Sequence, residues 1–243
     1  MLHEHNVRAT FFVMGWIAEH YPELVQDIDE AGHEIGYHSY YHLRPMHQSP
    51  VEFEKDLIDG TTIIERLINK KVKIYRAPNL SLDQSTQWIL PILIRNGIEI
   101  SSSIRGLRTL NKVKIPNSPI RFRVSTDSIT EFPLNRVLVM GFPLTFSGGG
   151  YFRLFPLLMV DYLMSLQSYN LGYFHPNDFD LEIPKPRQLG IIRNWMNTVG
   201  TNTTQSKLNK LLLNYEFVCL GDALRMIENN KEYQNLRIID IEI

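Results

Sequence analysis

Three histidines stand within ten residues in the segment HEIGYHSYYH, residues 33–42, of a chain that has eight histidines in 243 residues. His38 and His42 follow a short segment that predicts a β-strand, and they lie four residues apart. One helical turn would bring two imidazoles at this spacing to the same side, where both can bind one metal ion. On spacing alone, exposed or core histidines among tyrosines are the favoured interpretation, because a catalytic metal site generally needs a third protein ligand.

The elements around these histidines alternate between strands and helices. ATFFVM, residues 9–14, predicts a buried strand, and residues 19–31 predict a helix that Gly32 ends. Ser49 followed by Pro50 predicts the start of a second helix. Further strands are predicted at residues 73–76, 98–101, 128–132, 137–141, 171–174 and 217–220, and further helices at residues 85–95 and 156–166 and on both sides of the last strand. This alternation predicts an α/β fold with a mostly parallel sheet or barrel, whose chemistry lies where the strands end.

Three segments predict irregular structure instead. Residues 105–117 are basic and predict a loop, and residues 183–186 predict a proline-rich loop. The glycines of SGGG, residues 147–150, predict a bend of the backbone.

Composition narrows the class of protein. Lysine and arginine number 25 against 26 aspartates and glutamates, so neither nucleic acid nor an anionic membrane is an expected partner. A single cysteine, Cys219, excludes an internal disulfide framework and favours a reducing, cytoplasmic location. No apolar run approaches the roughly 20 residues that span a bilayer, and no secretory signal precedes the first strand. The length suits one domain over residues 1–243, and the oligomeric state is left open.

Several motifs in order resemble one family. The segment VRATFFVMGWIAEHYPELVQDIDEAGHEIGYHSYYH, residues 7–42, is similar to the polysaccharide deacetylase family (NodB homology, carbohydrate esterase family 4). The likeness continues through YRAPNLSLD, ISSSI, GGGYFRLFP and YFHPNDFD to about residue 180. GGGYFR followed by HP resembles the bacterial branch associated with exopolysaccharide clusters. Each motif alone is weak evidence for the family, but five motifs in the family's order are strong evidence.

The resemblance implies a distorted (β/α) barrel and assigns roles to residues. His38 and His42 would bind a divalent metal, most often zinc in this family. Arg76 would orient the catalytic base, the backbone N–H of Asn79 would stabilise the oxyanion, and His175 would protonate the departing amine. Taken singly, Arg76 reads as a surface arginine and His175 as a turn residue, and only their order beside HSYYH favours these roles.

This sequence departs from the family pattern in two ways. Members carry an aspartate pair on a first strand, which supplies the third metal ligand and the general base, and this sequence begins inside the helix that precedes the ATFF strand. A missing first strand and a chain with little or no activity are therefore expected. Ser101 stands where the branch usually has an aspartate, so the expected partner of Arg76 is absent or replaced. Asp127 and Glu131 are considered as substitute carboxylates but disfavoured.

Other candidates remain open between two interpretations. Tyr151 stacks on a sugar or belongs to a tight turn. Asp178 and Asp180 are interpreted as solvated loop acids in preference to partners of His175.

The resemblance implies a metal-dependent hydrolase that removes N-acetyl groups, or less readily O-acetyl groups, from a bacterial polysaccharide or oligosaccharide. One alternative is a hydrolase of a small non-peptide amide. The other is a non-catalytic glycan-binding remnant.

Overall fold

The computed structural model describes residues 1–182, 198–229 and 236–241, and the chain divides into two compact units. The larger unit comprises Leu2–Pro133 and Phe217–Ile243, and the smaller unit comprises Leu134–Glu216 with Met1. The prediction of a single catalytic domain over residues 1–243 stays a prediction.

The described strands, in chain order, are β1 Thr10–Val13, β2 Glu34–Tyr37, β3 Ile74–Tyr75, β4 Ile100–Ser101, β5 Thr109–Leu110, β6 Val113–Lys114, β7 Ile120–Val124, β8 Asp127–Glu131, β9 Val137–Val139, β10 Phe142–Leu144 and β11 Arg237–Asp240. The described helices are α1 Gly15–His20, α2 Pro22–Glu30, α3 Pro50–Ile68, α4 Ile89–Arg95, α5 Gly149–Leu154, α6 Leu157–Ser165, α7 Thr201–Asn214 and α8 Leu220–Asn229. No helix among the described residues is both long enough and apolar enough to span a bilayer.

A seven-stranded sheet forms the centre of the larger unit. Its order is β1-β2-β3-β4-β8-β7-β11, and all neighbours are parallel except the hairpin of β7 and β8. β2, β3, β4 and β8 therefore end at the same edge of the sheet. The predicted α/β class with a mostly parallel sheet is confirmed.

Helix α3 covers one part of this sheet and begins where the sequence predicts. Ser49 and Glu52 form a capping box in which each side chain accepts a hydrogen bond from the other's backbone N–H. The helix buries Phe53, Leu57 and Ile64 against the core. Each such side chain contributes roughly 1.5–3 kcal/mol when it is fully removed from water.

The smaller unit is built around helices. The antiparallel pair β9 and β10 precedes α5 and α6, and α7 follows them. Gly148 and Tyr173 form an isolated parallel bridge, so the predicted strand at residues 171–174 is reduced to a single paired residue.

Several predicted boundaries were wrong for identifiable reasons. Pro22 divides the helix predicted at residues 19–31 into α1 and α2, because proline fits the first turn of a helix and not its interior. The helix predicted at residues 85–95 begins at Ile89, which places Pro91 in its first turn. The SGGG bend leads into α5, whose first residues are glycines.

Other differences lie at the edges of the sheet. Part of the predicted loop at residues 105–117 forms the hairpin β5–β6, and β7 was missed. Residues 217–220 lead into α8 instead of forming a strand. The predicted loop at residues 183–186 lies outside the described residues.

Candidate active site

The rings of His38 and His42 meet just beyond the end of β2. Their centroids are 4.9 Å apart and their planes are inclined by 74°. His38 Nδ1 lies 2.7 Å from the carbonyl oxygen of Arg76. Because a carbonyl only accepts hydrogen bonds, the ring hydrogen stands on Nδ1, and Nε2 of the neutral ring carries the lone pair. This is the arrangement typical of metal-binding histidines.

The loop that joins the two histidines is bent and is not the helical turn that their spacing suggested. Ser39 and His42 both adopt the left-handed backbone conformation, with φ values of 62° and 58°. Such a conformation is strained in residues other than glycine and persists only where the surroundings enforce it. The Ser39 hydroxyl helps by accepting a hydrogen bond from the Leu43 N–H at 3.0 Å.

Asp56 on α3 fixes the same loop by hydrogen bonds. Its carboxylate accepts hydrogen bonds from Tyr40 N at 2.9 Å, Tyr37 Oη at 2.8 Å and Ser39 Oγ at 3.2 Å. Burial raises the pKa of Asp56, and these three hydrogen bonds oppose the rise. Gly60, one turn further along α3, makes room for the Tyr37 ring, since a Cβ there would stand 2.2 Å from it.

We expect Asp56→Ala to lower the free energy of unfolding by about 2 kcal/mol, because the Tyr40 N–H and the Ser39 hydroxyl lose a buried acceptor. Urea unfolding followed by circular dichroism measures the change. Asp59→Ala on the same helix is the matched control, because Asp59 is half exposed and pairs with exposed Lys55. Equal losses in the two variants would show that Asp56 does not hold the loop.

Arg76 follows β3 and is buried beside the histidine pair. Its Nε donates to the Ser102 carbonyl oxygen at 3.0 Å, and its Nη2 donates to Ser102 Oγ at 2.8 Å. The guanidinium carbon lies 3.9 Å from the centroid of the Phe12 ring, a cation–π contact. The ATFF strand therefore contributes to the site through Phe12, whose ring also lies 6.3 Å from that of His38.

Glu131 provides a buried carboxyl group near Arg76. It ends β8 directly opposite Ser101 on β4. Its Oε1 accepts hydrogen bonds from Ser103 N at 2.7 Å and Ile104 N at 3.0 Å. Burial raises the pKa of Glu131 to about 7, although these hydrogen bonds and the charge of Arg76 oppose the rise. The carboxylate expected at position 101 thus has a counterpart one strand away.

Asn79 lies in the 3-10 turn Pro78–Leu80 that follows Arg76. It is exposed and has left-handed backbone angles, φ 60° and ψ 19°. The role of its N–H as an oxyanion donor stays a prediction.

His175 and Tyr151 belong to the smaller unit. Residues 173–175 are extended, so Tyr173 and His175 share one face while Phe174 packs against Phe152, with ring centroids 4.9 Å apart. Tyr173 Oη lies 3.0 Å from His175 Nε2. Tyr151 on α5 is 43% exposed, which suits a surface for sugar stacking, and this role stays a prediction.

Asp178 is not the solvated loop acid that the sequence suggested. It is buried and forms an ion pair with buried Arg153, with 3.1 Å between Nε and Oδ1. Its Oδ2 accepts a hydrogen bond from the His175 backbone N–H at 2.8 Å and lies 3.8 Å from His175 Nδ1. Asp180 is exposed, as expected.

The described residues fit only part of a catalytic metal site. His38 and His42 supply two imidazoles with suitable geometry. Among residues 1–182, 198–229 and 236–241, however, no three His, Cys, Asp or Glu side chains form a metal-binding group. Catalytic zinc usually has three protein ligands. The described residues therefore supply the two histidine ligands but not a third.

Three residues, two in the larger unit and one in the smaller, were missed or disfavoured in the sequence. Asp56 was identifiable in principle, because an acidic residue between the buried Phe53 and Leu57 of one helix needs polar partners. Glu131 and Asp178 gave no comparable local signal, since their burial depends on contacts made by the folded chain.

Comparisons with known proteins show which family this chain resembles. Residues 1–93 match the family model described as polysaccharide deacetylase, and residues 102–225 match a domain of unknown function, DUF3473. The peptidoglycan-N-acetylglucosamine deacetylase of Bacillus cereus is 38% identical over 88 residues, which cover 36% of this chain and 32% of that protein. The chitooligosaccharide deacetylase of Azorhizobium caulinodans is 30% identical over 79 residues, 32% of this chain and 38% of that protein.

These matches are partial in length. The chain spans about a third of the length of the curated relatives it matches. A crystal structure of a putative polysaccharide deacetylase from Mycobacterium smegmatis matches 100% of this chain and 78% of its own, with a TM-score of 0.67 and 18% identity. That likeness confirms the predicted fold of the NodB-homology type.

Proposed function

We propose that this chain, which belongs to the polysaccharide deacetylase family, hydrolyses N-acetyl groups of a bacterial polysaccharide or oligosaccharide. The observation that carries the proposal is the pair His38 and His42, with Nδ1 of His38 fixed by the Arg76 carbonyl and the rings 4.9 Å apart. Two similar proteins are named for N-acetylglucosamine units of peptidoglycan and for chitooligosaccharide. Both names favour an N-acetyl amide over an O-acetyl ester.

The proposed cofactor is a divalent metal, zinc by preference, held by His38 and His42 with a further ligand. Imidazole nitrogen suits zinc. When bound, such an ion polarises an amide carbonyl and makes water more acidic.

The proposed roles of the other residues follow from their chemistry. Arg76, whose backbone carbonyl accepts from His38 and whose buried guanidinium lies against the Phe12 ring, orients a carboxylate base. The N–H of Asn79 donates a hydrogen bond to the developing oxyanion, and loss of one such donor typically costs about a hundredfold in rate. His175 donates the proton that the departing nitrogen needs. Tyr151 stacks on a sugar ring of the substrate.

A zinc titration tests the histidine pair directly. We expect His38→Ala and His42→Ala each to weaken zinc binding at least about tenfold, as measured by isothermal calorimetry, because one of two imidazole ligands is removed. His47→Ala is the matched control, since His47 is an exposed histidine of the same segment and contacts Arg44. Unchanged zinc affinity in the His38 variant would remove this residue from the site.

Acetate release from a fully acetylated chitooligosaccharide tests the activity. The proposal predicts zinc-stimulated release that His38→Ala abolishes and His47→Ala leaves unchanged. Binding of the oligosaccharide without release would instead support the glycan-binding alternative. Release from a small acetamide but not from the oligosaccharide would support the small-amide alternative.

A further inference from the structure

Four side chains of the smaller unit lie one after another in a line that we call the His175 chain: Arg153, Asp178, His175 and Tyr173. Arg153 Nε lies 3.1 Å from Asp178 Oδ1, and Asp178 Oδ2 lies 3.8 Å from His175 Nδ1. Beyond the ring, Tyr173 Oη lies 3.0 Å from His175 Nε2. Each nitrogen of the imidazole therefore faces one polar partner.

The inner end of the His175 chain is rigidly held. Only 8% of the Arg153 side chain and 5% of the Asp178 side chain are exposed. Removing one partner of such a buried ion pair strongly destabilises the folded protein, because the other charge is left buried without a partner. Asp178 also accepts the backbone N–H of His175 at 2.8 Å, which ties the carboxylate to the residue whose ring it faces. The outer end is accessible, since 54% of the His175 side chain is exposed.

Two contacts fix Arg153 itself. Lys207 Nζ donates hydrogen bonds to the carbonyl oxygens of Arg153 at 2.7 Å and Phe155 at 2.9 Å, at the carboxyl end of α5. Gly200 packs against the Arg153 carbonyl so closely that a Cβ there would stand 2.4 Å from the oxygen. The position of Asp178 is thus set by an anchored arginine.

We infer that Tyr173 is the group through which His175 delivers its proton, and that Asp178 and Arg153 are positioning residues for this transfer. The inference rests on the proposed function. Its basis is geometric, because Tyr173 Oη occupies the hydrogen-bonding position of Nε2, the ring nitrogen that faces away from Asp178. A proton leaving Nε2 along this hydrogen bond reaches Tyr173 first.

The transfer balances in protons and electrons. Water has already added to the amide carbon, and the C–N bond breaks with its electron pair on the departing nitrogen. That nitrogen takes the hydroxyl proton of Tyr173, and Tyr173 Oη takes the proton of His175 Nε2. His175 ends one proton poorer, Tyr173 is unchanged, and the products are the free amine and acetic acid, which ionises to acetate in water.

The test compares Tyr173→Phe, His175→Ala and the double variant in acetate release by the whole chain. We expect Tyr173→Phe to lower kcat about 100-fold, with KM changed less than about twofold, because a proton-transfer group contributes to the transition state. We expect the double variant to be no slower than the slower single variant, since both residues act in one step. Tyr162→Phe, at an exposed tyrosine of α6, is the control and keeps full activity.

The outcomes separate the inference from the proposed function. If the chain is active and Tyr173→Phe stays within threefold of it, or if the two losses multiply in the double variant, the relay is wrong and the deacetylase stands. If the chain releases no acetate, the proposed function fails, and ¹⁵N NMR of the His175 ring then decides on the contact. A changed Nε2 shift in Tyr173→Phe, with matched thermal unfolding, supports the His175–Tyr173 contact, and an unchanged shift overturns it.

Discussion

Gly148→Ala is expected to destabilise the smaller unit by about 3 kcal/mol or more, because this position has no space for a side chain. A Cβ at Gly148 would stand 1.6 Å from the carbonyl oxygen of Tyr173 and 2.5 Å from its carbonyl carbon. The obstacle is backbone, so the bridge must open and the hydrogen bond from Tyr173 N to Ser147 O at 3.2 Å is lost. Urea unfolding monitored by circular dichroism measures the change.

Gly150→Ala provides a control two residues away. The nearest atom to a Cβ at Gly150 is Nη2 of Arg153 at 3.6 Å, an ordinary contact. Alanine is the better helix former, so this variant should keep or gain a few tenths of a kcal/mol. Similar large losses in both variants would mean that loss of glycine flexibility, and not the approach of Tyr173, decides the effect. Acetate release should fall only in the Gly148 variant, because Tyr173 leads directly to His175.

A short run of residues was sufficient to predict an element of structure where that run alone determines it. The ATFF strand was predicted from its apolar run, and the structure has β1 there, although only Val13 of its four residues is buried. The start of α3 was predicted because Ser49 and Pro50 are both favourable at a helix start. The same local reasoning failed at residues 171–174, where a strand-like run has a single paired residue.

For the candidate site, too, the sequence predicted some features and missed others. Motif order identified His38, His42 and Arg76, and the structure brings them together at adjacent strand ends. Sequence spacing predicted the wrong local geometry, since the two imidazoles meet through a strained loop that Asp56 holds from another element. Such support depends on a contact 16 residues apart in the chain and cannot be read from the motif.

The burial of Glu131 is a second feature that local sequence did not predict. Glu131 was disfavoured as a substitute carboxylate, and no residue near it in the sequence indicates that its charge is buried. Its burial follows from the pairing of β4 with β8, which places it opposite Ser101 and next to the Ser103 and Ile104 N–H groups. A carboxyl group taken out of water favours its neutral form, and this gives the second large prediction.

We expect the free energy of unfolding to fall by about 3 kcal/mol as the pH rises from about 4.5 to about 7, at roughly 1.4 kcal/mol for each unit of pKa difference. Burial raises the pKa of Glu131 to about 7 in the folded state, from 4.5 in an exposed chain. The folded state therefore holds this proton more tightly. The stabilisation is complete below about pH 4.5 and is lost as the pH passes through 7. Denaturant unfolding at a series of pH values measures it.

Glu131→Gln isolates this contribution from those of other titrating groups. Glutamine keeps the carbonyl oxygen that accepts the Ser103 and Ile104 hydrogen bonds but carries no titrating proton. The difference in unfolding free energy between variant and parent should shift by about 3 kcal/mol in favour of the variant over the same pH range. Glu99→Gln, at a half-exposed glutamate paired with Lys73, should give a nearly flat difference. A flat difference for Glu131→Gln as well would mean that water reaches this carboxyl group and that its pKa is not raised in the folded state.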